Sequence, residues 1–163
     1  MIPVLYEENT RVFTHNGIGR LTGAISCIVT EERNGSFELQ MKYPQTGDFY
    51  KELKVSRIIW AIPADGKNEQ GFRIYKITKP LNGIITVYAE HISYQLSSIP
   101  CARFSANSAA AALLGLKNHA ATNCPFTFWT DVTTSGTFTV EAPAGIRSKL
   151  GGSKGSVLDV YGG

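Results

Sequence analysis

The stretch Gly71–His91, GFRIYKITKPLNGIITVYAEH, decides the fold. Phe72, Ile74, Tyr75 and Ile77 come before Pro80-Leu81-Asn82-Gly83, and Ile85, Val87 and Ala89 come after it. Asn-Gly between two such runs is a strong hairpin signal, because both central positions of the tight turn need positive φ. The stretch therefore predicts strands over Gly71–Thr78 and Ile84–His91. The same logic works upstream. Ala24–Glu31 alternates, with Ala24, Ser26, Ile28 and Thr30 against Ile25, Cys27, Val29 and Glu31. Asn34-Gly35 follows, and Ser36–Tyr43 then sets Phe37, Leu39, Met41 and Tyr43 on one face. Period-two alternation on both sides of a turn predicts a second hairpin.

Further out, Ile2–Tyr6 is a short apolar run, and Pro3 near its start suggests an edge strand. Pro44–Asp48 reads as a turn and Val55–Ile62, with Ile58-Ile59-Trp60, as a core strand. Pro63–Gln70 is polar and rich in turn formers. The texture changes near Ile99-Pro100. Ser105–Asn118 is Ala-rich, and Ala109, Ala112, Leu113 and Leu116 fall at helical spacing. Ser105 reads as the N-cap. Phe126–Thr130 and Thr137–Glu141 read as short strands joined by Thr133–Gly136, and Gly145–Leu150 and Ser156–Tyr161 as short helices parted by Gly151-Gly152. The fold class is mainly β (α+β), with a β-barrel-like domain over residues 1–99 and a smaller α/β domain over 100–163.

Composition narrows the partners. Charged residues make up 18% of the 163, below the roughly 25% of an average soluble protein. Residues 1–99 carry 11 basic and 10 acidic groups, and residues 100–163 carry 5 and 3, so neither part is a polybasic arm. That argues against a dedicated DNA binder. The N-terminus carries Glu7-Glu8 and no signal-peptide pattern, and no run is long enough for a membrane span. Cys27, Cys101 and Cys124 are an odd set without CxxC spacing, which fits a reducing compartment. The end, Tyr161-Gly162-Gly163, directly follows apolar Val157, Leu158 and Val160, and reads as a cut end.

No convergent chemistry stands out. His15, His91 and His119 lie apart, and a metal site needs three or four ligands brought together. Cys101 or Cys124 with His91 or His119 could form a nucleophile pair, although no local motif supports it. The acidic doublets Glu7-Glu8 and Glu31-Glu32 read as solvated charge rather than as a glycosidase pair. Gly17-Ile18-Gly19 lacks a third glycine. Leu150–Ser156, LGGSKGS, looks superficially like a phosphate loop but lacks its GxxxxGK[ST] spacing. Arg73, Tyr75, Lys76 and Lys79 alternate loosely, as a nucleic-acid groove would, but also as any half-exposed strand does. No catalytic, cofactor or metal residue is assigned.

Three segments together carry a resemblance: Ser26–Tyr43, the strands Gly71–Thr78 with Ile84–Tyr94, and the late Leu150–Gly163, LGGSKGSVLDVYGG. They resemble the N-terminal region of siphophage and prophage tail proteins called tail-associated lysin, prophage tail endopeptidase or phage minor structural protein. The resemblance spans essentially the whole chain. It implies a fold similar to the baseplate hub of contractile phages, with barrel-like domains related to tail-tube proteins. It also implies a trimeric ring that joins the tail tube to the tip and lines or closes a DNA channel. The implied partners are further copies, the tube or distal tail protein, the tape measure protein and the passing DNA. The implied location is the virion tail tip, after synthesis in the host cytoplasm. In the family, sequence continues past Val160-Tyr161-Gly162-Gly163, and any hydrolase module lies in that further part. The rival readings are a peptidoglycan endopeptidase or hydrolase, and a host-surface or nucleic-acid binding module.

Overall fold

The protein is described here from a computed structural model that covers residues 2–32, 35–63 and 68–162. Seven strands belong to its first compact unit, Met1–Ile92: β1 (Val4–Tyr6), β2 (Gly19–Arg20), β3 (Ser26–Glu31), β4 (Phe37–Pro44), β5 (Ile58–Ala61), β6 (Gln70–Ile77) and β7 (Ile84–His91). They form one antiparallel sheet in the order β2-β1-β5-β6-β7-β4-β3. The sheet curls into a half-barrel, and among the described residues no ladder joins β2 to β3.

The deciding hairpin forms as its turn chemistry requires. Asn82 and Gly83 both take positive φ, at 50° and 73°. Leu81 and Ile84 exchange main-chain bonds of 2.9 and 3.0 Å across the turn. The register slips between Ile74 and Lys76, so Tyr75 sits in a bulge that the alternation did not reveal. β3 and β4 pair in full register from Ser26↔Lys42 to Glu31↔Phe37. The Asn34-Gly35 turn predicted there involves Asn34, which lies outside the described residues, as do residues 64–67 of the predicted Pro63–Gln70 turn.

Leu39, Met41 and Tyr43 of β4 meet Ile85, Val87 and Ala89 of β7, Phe72 and Ile74 of β6, and Ile59 of β5 in one core. Burying such side chains contributes about 1.5–3 kcal/mol apiece before entropy is charged. β1 is not an edge, contrary to the expectation from Pro3. It lies between β2 and β5, and two-residue β2 takes the outside. Pro3 precedes the strand, so its missing N–H costs the ladder nothing. Opposite the core, Phe13 stacks on Trp60 at 4.1 Å, and Arg57 and Arg73 hold Glu7 and the Glu8 carbonyl at 3.4 and 3.0 Å.

The second unit, Ser93–Gly163, begins inside a 3-10 stretch, Ile92–Ser98, ahead of the texture change at Ile99-Pro100. It holds β8 (Pro100–Cys101), β9 (Phe104–Ser108), α1 (Ala109–Asn118), β10 (Ser135–Val140), β11 (Ala144–Gly145), α2 (Ile146–Leu150) and α3 (Val157–Tyr161). β9 pairs with β10 and β8 with β11, both antiparallel. The apolar stripe of α1, Ala109, Ala112, Leu113 and Leu116, is buried as its spacing predicted, against Phe138, Val140, Ile146, Val157 and Tyr161. The cap is Ser108, which accepts the Ala111 N–H at 3.3 Å. Ser105 is instead a β9 residue, bonded to Thr139 Oγ1 at 3.1 Å. Strand pairing continues through Ser108 and delays the helix by one turn. Ser135 and Gly136, expected in a connection, begin β10, and among the described residues Phe126–Thr130, expected as a strand, joins no ladder.

Candidate functional site

Two of the surfaces that expose apolar side chains also offer backbone or a groove beside them. The first is β3, one of the two outer strands of the half-barrel. Cys27 and Val29 turn toward the core, so alternation points Ile28 the other way, and it is 62% exposed. Ile25, just ahead of the strand, is exposed too.

The second surface lies within Ser93–Gly163. There α1 and the segment 127–130 flank an open groove of about 300 Å³, lined by Leu113, Leu114, Lys117, Thr127, Phe128 and Trp129 among others. Phe126, Phe128 and Val132 pack toward the core, while Trp129 is 82% exposed and Leu114 is also exposed. An indole left this open is a candidate contact point, because aromatic side chains with one polar tip are enriched where proteins meet partners. The groove offers one cation, Lys117, and the hydroxyls of Thr127 and Thr130, so it suits packing and hydrogen bonding rather than bond cleavage.

The residues considered for chemistry are each held in other roles. His15 Nδ1 accepts the Gly17 N–H at 3.0 Å. The His91 ring stacks on Phe37 at 4.3 Å and its Nε2 meets Gln70 Oε1 at 3.2 Å. His119 stacks on Phe104 at 4.9 Å, with Nδ1 at 3.3 Å from the Gly115 carbonyl. The Cys101 thiol donates to the Ala102 carbonyl at 3.4 Å, and burial pushes its pKa up, the reverse of an activated nucleophile. Cys27 is likewise pushed up to about 11 by burial. All three cysteines are free thiols. Among the described residues, no three His, Cys, Asp or Glu side chains gather as metal ligands, and no helix is long and apolar enough to cross a membrane.

The phosphate-like loop fills itself. Gly155 N–H donates to Asp159 Oδ2 at 2.7 Å, while Ser156 Oγ accepts the Asp159 N–H at 3.3 Å. The chain's own carboxylate thus occupies the place an anion would take, in a capping arrangement that starts α3. Tyr161 then anchors the late segment, its hydroxyl donating to the Gly136 carbonyl at 2.9 Å. The basic residues of β6 do not converge either. Arg73 is spent on the Ser56 and Glu8 carbonyls, Tyr75 donates to Glu38 at 3.3 Å, and Lys76 lies over the Tyr88 ring at 5.5 Å.

Sequence reasoning missed Ile28, Leu114 and Trp129 as surface features. The signal was present in the alternation itself, which puts an apolar residue on a strand's outward side at Ile28 and at Trp129.

No protein-family model matches the sequence, and no curated protein matches it. Among solved structures, prophage tail protein gp18 from Listeria monocytogenes EGD-e superposes with a TM-score of 0.63 over 99% of this chain, at 13% sequence identity. This chain spans about half the length of that protein, 46%. At such low identity the likeness speaks for architecture, and the chain has, nearly end to end, a fold found in part of a prophage tail protein.

Proposed function

We propose that this chain is a structural protein of a phage or prophage tail, a hub piece that joins the tail tube to the tip and lines or closes the DNA channel. The observation that carries the reading is the fold shared with a prophage tail protein over 99% of the chain. The side-chain chemistry supports it: histidines and thiols are committed to packing and main-chain bonds, whereas apolar groups face outward at β3 and beside α1. In this reading, copies assemble as a trimer at the virion tail tip. The ring meets the distal tail protein and the tape measure protein, and DNA passes through it.

Mass spectrometry of purified particles is the direct test. Peptides of this chain should be recovered from assembled tails, and antibody labelling should fall at the tip. Absence from complete particles overturns the reading. Zymography on peptidoglycan should show no clearing with this chain, and a cleared band lost in Cys124→Ala would replace the structural role by a hydrolase.

A further inference from the structure

Burial alternates residue by residue from Cys124 to Thr133. Cys124, Phe126, Phe128, Thr130 and Val132 turn inward, and Pro125, Thr127, Trp129, Asp131 and Thr133 are exposed. This is the period of a β-strand. Yet among the described residues, no main-chain bond to another main-chain group is made by residues 122–133. Val132 N–H turns instead to Thr130 Oγ1, 3.1 Å away. The run alternates in burial as a strand does, without a ladder. Its main-chain groups need a partner, whether water or another strand.

The same chain carries a strand with the matching lack. Among the described residues, β3 is paired by β4 on one side only. Exposed edges are usually blunted by Lys, Pro or a bulge. β3, Ser-Cys-Ile-Val-Thr-Glu, has no Lys or Pro, carries its single charge, Glu31, at its last position, and pairs in unbroken register. It presents Ile28 outward, and a β-branched side chain beside an aromatic one is a favourable cross-strand pair. Glu32 follows the strand, and Lys117 lines the groove beside Trp129.

We propose that Cys124–Thr133 accepts β3 of a second copy as an added strand, with Ile28 seated against Trp129 and Leu114 and with Glu32 facing Lys117. Main-chain bonds supply the affinity and the groove supplies the selectivity, as in β-augmentation. Each copy offers one donor edge and one acceptor run, so the contact is heterologous and repeats head to tail until a ring closes. The proposal deepens the assembly part of the tail reading and rests on it, but the two fail separately.

Complementation between two variants tests it. Ile28→Lys spoils only the donor edge and Trp129→Lys only the acceptor. Both side chains are exposed, so circular dichroism and melting should match the unchanged chain. In sedimentation, the unchanged chain should associate with rising concentration and each variant alone should stay monomeric. An equimolar mixture should form a dimer and nothing larger, because one intact donor meets one intact acceptor. Amide exchange in the associated unchanged chain should slow in residues 26–31 and 124–133 together. An unchanged chain that stays monomeric, a mixture that stays monomeric, or protection gained in 124–133 alone overturns the proposal. If the mixture pairs while the chain is absent from purified particles, the tail reading falls and this contact stands. If the chain is in the particles and the mixture stays monomeric, the contact falls and the tail reading stands.

Discussion

Met1–Ile92 and Ser93–Gly163 each bury an apolar core, but by different means. The first unit is organised by its main chain: seven strands share one ladder, and alternation drops Leu39, Met41, Tyr43, Ile85, Val87 and Ala89 onto one face. The second is organised by side chains. Its ladders are short, and α1, α2, α3 and an unladdered run converge on Leu116, Phe138 and Ile146. The difference teaches that period-two alternation shapes a strand, whereas a neighbour makes it part of a sheet. Ser26–Glu31 and Cys124–Thr133 both alternate, but β4 is there for the former and nothing equivalent is bonded to the latter.

The largest effect should come from emptying either core. Phe72 and Phe138 are fully buried, and Phe→Ala at such a site costs about 3–5 kcal/mol. Hydrogen exchange should place the Phe72→Ala loss in Met1–Ile92 and the Phe138→Ala loss in Ser93–Gly163. Loss of protection in both units from either variant would break the contrast.

Gly115→Ala asks whether side-chain packing outranks local propensity in the second unit. Alanine favours a helix interior over glycine by about 1 kcal/mol. Here, however, its methyl would fall 2.1 Å from the Phe104 ring. Overpacking costs about 1–3 kcal/mol, so the variant should melt lower. A higher melting temperature would show that Phe104 yields freely.

Cap placement gives a smaller effect. Ser108→Ala should cost about 1 kcal/mol in chemical denaturation, the usual value of an N-cap. Ser105→Ala should fall well below that, since it loses one exposed hydroxyl contact. The reverse order would put the start of α1 at Ser105.

A last effect, confined to alkaline pH, concerns the sheet edge. Burial raises the Cys27 thiol from 9.0 to about 11. Within that window the unfolded chain releases a proton that the folded chain keeps, so stability falls as pH rises. Cys27→Ala should flatten that alkaline slope in denaturation series between pH 9 and 11. An unchanged slope would mean that Cys27 is as well solvated when folded as when unfolded.

Much of this fold is legible in the residues. Asn82-Gly83 announces its own turn because few residue pairs tolerate two positive φ values. The faces of β4, β7 and α1 follow from side-chain period alone. Ser156 with Asp159 marks a helix start for a local reason, since three residues separate donor from acceptor. Ser105 against Ser108 was not legible: both are serines ahead of an apolar stripe, and the choice belongs to β10, some thirty residues away in sequence. The surface beside Trp129 was half legible. Its strand pattern shows in the sequence, but the groove needs α1 to lie alongside.

Residue order thus dictated whatever depends on neighbours a few positions apart: strand faces, the Asn82-Gly83 turn and the helical stripe. Packing of distant segments dictated the rest. It put β1 inside the sheet and left β3 at its edge. It left Trp129 in solvent within an unladdered run. The physical reason is range. Turn and period signals act through φ and ψ and side chains within one or two turns of chain, whereas a ladder or groove exists only when remote backbone arrives to complete it.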